Sequence, residues 1–191
     1  MAMTGETKTG LCSDEEMGEA LGALQQDDEG GIAKIDSLLE DHPQDARLHF
    51  LKGSVLAGMQ RYAEAHQGIA RAVAIAPGFA IARFQLGFLE FTSGEAASAE
   101  ATWAPLMELA HDDPLRLFAS GLQLLARDEF AEAIALLRQG VANNQVNPVL
   151  NRDMEMLIRE IQTRTGEEAA DEPMSLAELA LRQSAARNTR H

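Results

Sequence analysis

Glycine stands at 53, 87 and 121, and alanine at 65, 99 and 133. Two residue types recurring in step, each at a spacing of 34, constrain the fold more than any other feature of the chain. A period of 20–50 residues means stacked copies of one small supersecondary unit, and about 34 residues is the length of a helix–turn–helix repeat. The expectation is therefore an all-α chain built as a solenoid.

The clearest unit runs from Ala46 to Gly78. Leu48, Leu51, Val55 and Leu56 follow helical spacing in its first half, and Gly53 there lets a second helix come close. Gly58-Met59-Gln60-Arg61 forms the turn. Tyr62, Ala65, Ile69, Ala72, Val73 and Ile75 make the apolar stripe of the second half, which Pro77 and Gly78 stop. The next unit starts at Ala80 and turns at Gly94; Pro105 removes a donor from its second helix and predicts a kink. A third starts at Pro114, capped by Asp112 or Asp113, and carries Gly121, Phe130 and Ala133 in register. Upstream, Ile32, Ile35, Leu38 and Leu39 mark the second half of an earlier unit, with Ser13 to Gln26 as its partner helix. Downstream, Asn147-Pro148 opens a helix whose apolar face is Leu150, Met154, Leu157, Ile158 and Ile161, suited to cover the open end of a solenoid.

These residues resemble the tetratricopeptide repeat, whose pattern asks for Leu-Gly in the first helix, Gly and an aromatic near the turn, two alanines in the second helix and a closing proline. The central unit supplies Gly53, Tyr62, Ala65, Ala72 and Pro77. The next supplies Leu86, Gly87, Gly94 and Ala99, with Ala96 at the aromatic place and His111 at the proline place. The last supplies Gly121, Phe130 and Ala133, with Gly140 for the second alanine. The family's tryptophan near the start of the first helix is absent throughout. The resemblance covers about residues 13–145. It implies a right-handed α-α superhelix of about three full repeats, a partial N-terminal repeat and a C-terminal capping helix. It also implies a concave groove lined by the first helix of each pair, and an adaptor, scaffold or chaperone rather than a catalyst. The expected division is a disordered tail over 1–12, the array and capping helix over 13–164, an acidic linker over 165–173, and a tail over 174–191. That tail carries a short amphipathic helix, since Ser175 and Glu178 form a capping-box pattern ahead of Leu176, Leu179 and Leu181.

By the resemblance, the groove side of the first helices carries Phe50, Phe84, Phe88, Phe91, Phe118, Leu122 and Leu125. Spacing supports part of this independently, because Phe84, Phe88 and Phe91 lie at i, i+4 and i+7 and share a face. Phenylalanines left in water are a liability. The expected partner is a protein or peptide laying an apolar or amphipathic segment in the groove. Alternatives stay open: the chain's own tail covers the groove, or the chain is a structural or oligomerisation subunit, a homodimer included, or the accessory subunit of a separate enzyme. Some bacterial secretion chaperones are small, acidic and built from about three such repeats. The paired lysines and asparagines of a carboxylate clamp are missing; Lys52 stands alone.

A formal net charge of −14 argues against nucleic acid and anionic membrane as partners, because both need a basic footprint. No run approaches the roughly 18 apolar residues of a membrane span. Cys12, the one cysteine, reads as an incidental tail thiol and fits a reducing, cytoplasmic setting. No metal, cofactor or catalytic set is expected. His42, His49, His66, His111 and His191 form no metal-binding pair, and neither a phosphate loop nor a nucleophile elbow occurs. Trp103 and the methionines Met154 and Met156 read as packing residues.

Overall fold

The structure, a computed structural model, describes residues 10–166. The expectations for residues 1–9 and 167–191, the amphipathic tail helix among them, lie outside the described residues. Within them the chain is helical with no strand. Helices α1 (Asp14–Leu24) and α2 (Asp28–Asp41) form a first pair, α3 (Ala46–Gly58) and α4 (Tyr62–Ile75) a second. A third pair is α5 (Ala80–Thr92) with α6 (Ala96–Trp103), the latter running into a 3-10 turn at Ala104–Glu108. The fourth is α7 (Pro114–Leu125) with α8 (Phe130–Asn143), and α9 (Pro148–Thr165) ends the array.

The period fixes the start of every helix after α1. Second helices begin at Asp28, Tyr62, Ala96 and Phe130, and first helices at Ala46, Ala80, Pro114 and Pro148, each at the 34-residue step. Thus α9 occupies the register of a further first helix, and the N-terminal unit has the partner helix expected over Ser13 to Gln26, at Asp14–Leu24. Side-chain caps mark several starts: Ser13, within a reciprocal capping box with Glu16, and then Asp27, Asp45, Asp113 and Asn147. The turn inside each of the three central pairs has a residue at positive φ, again in register: Gln60 at 63°, Gly94 at 84° and Asp128 at 60°. Pro105 acts as expected. The α-helix stops at Trp103, and the chain continues in the tighter 3-10 form, which tolerates the missing donor.

The register glycines are close-approach points. A Cβ on Gly53 would sit 2.5 Å from Ile69 Cγ1, and one on Gly121 would sit 2.9 Å from Leu137 Cγ. One on Gly87 would collide with the Trp103 indole, whose Nε1 donates to the Phe84 carbonyl at 3.0 Å. Trp103 replaces a smaller residue at that register (Ile69 and Leu137 flank it by one period), so the middle pair depends most on its glycine. Gly87→Ala is expected to cost about 1–3 kcal/mol by overpacking. Thermal melts should show Gly87→Ala with Trp103→Leu losing less than the sum of the two single changes.

Residues 10–12 depart from the tail expectation. Cys12 is buried. Its N–H donates to Asp45 Oδ2 at 2.9 Å, and Arg47 Nη2 donates to its carbonyl at 2.7 Å. His42 Nδ1 lies 2.7 Å from the Gly10 carbonyl. The segment is strapped to the α2–α3 corner, and its thiol belongs to the core between α1, α2 and α3 with Ala20, Ile35, Leu38 and Leu48. At the other end, α9 runs to Thr165 and ends in left-handed Gly166, one residue into the expected linker.

Candidate functional site

First helices of adjacent repeats leave a trough, with a cleft between α3 and α5. Phe50, Ser54 and Ala57 of α3 face Ile81, Gln85, Phe88 and Leu89 of α5 across a cleft of about 760 Å³. Tyr62, 54% exposed, forms the rim at the start of α4. The wall from the far end of the chain is Asn147, Val149, Leu150 and Asp153 of α9. The superhelix therefore curves tightly enough to bring its last helix across the trough. The lining is mostly apolar, and Ser54 Oγ donates to Gln85 Oε1 at 3.0 Å within it. Asp153 is the one acidic side chain among the lining residues. Burial raises its carboxyl above the ordinary value, with only the neighbouring Arg152 charge opposing.

The predicted groove residues separate into distinct groups. Phe50 and Phe88 are half-buried and line the cleft, with Phe50 packed on Phe79 at 5.0 Å between ring centroids. Phe84 reaches the cleft only as its sealed floor, 1% exposed and packed between Phe88, Trp103 and Phe118. Phe91 turns toward Trp103 at 6.0 Å. Phe118 and Leu122 are fully buried, which corrects their expected exposure: Leu150, Met154 and Ile158 of α9 share one core cluster with them. The terminal helix covers the stripe that α7 would otherwise show to solvent. Leu125 lines a second, separate cleft of about 640 Å³ with Asp128, Phe130, Leu157, Glu160, Ile161, Arg164 and Thr165.

Several contributors escaped the sequence reading, among them Tyr62, Ile81, Gln85, Val149 and Asp153. Tyr62 carried a signal, since it stands in register with Phe130, and each edges a cleft. Val149 and Asp153 carried none, because their place depends on how far the superhelix turns. Among histidines, His66 Nε2 lies 3.4 Å from Glu90 Oε1 between α4 and α5, and Glu90 is largely buried. His49 Nε2 instead pairs with the Pro43 carbonyl at 3.0 Å.

The sequence matches no family model and no curated protein. Solved structures do resemble it. Residues 41 to the end of MamA from Desulfovibrio magneticus RS-1 superpose with a TM-score of 0.59 over 93% of this chain and 96% of that one, at 12% identity. A MamA RS-1 double mutant gives the same TM-score and identity, over 93% and 98% of the two chains. PilF from Pseudomonas aeruginosa gives 0.57 over 90% of this chain and 81% of that one, at 16% identity. The fold is that of a tetratricopeptide-repeat solenoid. At such identities the likeness concerns architecture alone. No helix among the described residues is long and apolar enough to cross a membrane.

Proposed function

We propose that this chain is a non-catalytic adaptor or chaperone-like module that holds an apolar segment of a protein partner in the cleft between α3, α5 and the start of α9. The observation that carries the reading is the open apolar lining of Phe50, Ile81 and Phe88, bounded by the exposed rim residues Tyr62 and Val149. Such a cleft suits one face of an amphipathic helix or a short extended segment. Asp153 favours a segment with a basic side chain beside its apolar face, which also suits the −14 charge of the whole chain.

Affinity purification followed by hydrogen exchange on the complex tests this. Tyr62→Ala with Val149→Asp touches only rim residues and should leave the melting temperature nearly unchanged. It should weaken partner capture severalfold, because Val149→Asp sets an unpaired charge against the apolar face of the guest. Protection in the wild-type complex should fall on α3, α5 and the first turns of α9. Equal capture by the double variant, or protection confined to the second helices, would refute the assignment.

A further inference from the structure

We infer that residues 174–186 of this chain seat themselves in the second cleft, between the end of α7, the start of α8 and the last turns of α9. The cleft is an in-register copy of the principal one. Leu125, Phe130 and Leu157 stand two periods after Ala57, Tyr62 and Leu89. Its floor is apolar, with Leu125, Phe130, Leu157 and Ile161, and its rim carries Asp128 and the Glu160–Arg164 ion pair at 2.6 Å.

Three observations point to this occupant. The chain leaves the described residues at the cleft itself, because Arg164 and Thr165 line it and Gly166 follows in the left-handed conformation that turns a chain back at a helix end. Residues 167–173 can span about 23 Å when extended, whereas the walk from Thr165 back to Leu157 is about 12 Å of helix. The linker therefore reaches with slack. The segment also has matching chemistry, with Leu176, Leu179 and Leu181 for the floor and Arg182 for Asp128 at the rim.

The usual packing place of a second helix is closed to it. Gly53, Gly87 and Gly121 each admit a second helix against the first, but the same register position in α9 is Glu155, exposed to solvent. With that side blocked, the concave cleft is the apolar seat beside the end of α9. None of this depends on what the principal cleft binds.

Disulfide trapping in the full-length chain tests it. Glu160→Cys uses an exposed rim position, and paired with Leu179→Cys it should form an internal disulfide at monomer mass under mild oxidation. A companion pair, Val149→Cys with Leu179→Cys, reports on the principal cleft and should stay reduced. Cys12 is buried, its thiol pushed up to about 11 first by burial and then by Asp45, so it stays out of the exchange. In parallel, Leu176→Asp with Leu179→Asp should speed amide exchange over residues 157–165 about tenfold. The inference is overturned by trapping at Val149 instead, by a disulfide-linked dimer, by no trapping above a urea-unfolded control, or by unchanged exchange.

Discussion

Phe84→Ala is expected to destabilise the fold by about 3–5 kcal/mol, the range for emptying a buried aromatic site. The ring is 1% exposed and packs on three other aromatic side chains, so no rearrangement of solvent-facing residues can fill the space. Total stabilities of about 5–15 kcal/mol make that a large fraction. For a chain of this size the melting temperature should fall by about 6–20 °C. Phe88→Ala is the control: its half-buried ring lines the cleft, and its loss should cost less stability and more binding. Thermal circular dichroism on the two single variants checks this. Similar melting temperatures for both would place Phe84 outside the core.

Asp45→Ala should be nearly as damaging, by about 2–4 kcal/mol, because it removes a helix cap and strands buried donors at once. Asp45 has no exposed surface and accepts from Cys12 N–H, from Arg47 Nη2 and, as the cap of α3, from Arg47 N–H. Burial alone would raise its carboxyl, but the hydrogen bonds from Arg47 and from Cys12 outweigh burial and hold it well below the usual carboxylate range. The sign of the pH dependence follows. A group depressed in the folded state contributes fully above its unfolded value of about 3.9 and loses that contribution as pH falls toward the folded value. Wild-type stability should therefore drop more steeply below about pH 4 than that of Asp45→Asn, as urea titrations at stepped pH would show. Release of the strap has a second readout: the Cys12 thiol should react with alkylating reagents faster in Asp45→Ala than in the wild type.

The helical starts were legible because they depend on local marks that repeat: Gly53, Gly87 and Gly121 for close approach, Ala65, Ala99 and Ala133 opposite them, and Asp and Asn caps. Pro105 likewise announced the end of a regular helix. The fate of the phenylalanines was not legible. Phe50, Phe84 and Phe118 hold equivalent places in the period, yet the first is half-buried and the other two are sealed. The difference comes from neighbours distant in sequence: Trp103 filling the space at Gly87, and α9 descending on the last repeat. Cys12 misled for the same reason. A short polar stretch reads as tail until His42, Asp45 and Arg47, some thirty residues later, close around it.

Because α9 both seals Phe118 and Leu122 and forms one wall of the principal cleft, occupancy and end-fraying are linked quantities. A guest touching Val149 and Asp153 binds only while the last helix is docked, so saturation must raise the free energy of opening at that terminus by the guest's own binding free energy above its dissociation constant. The far end of the array would then be locked shut by whatever sits near its middle.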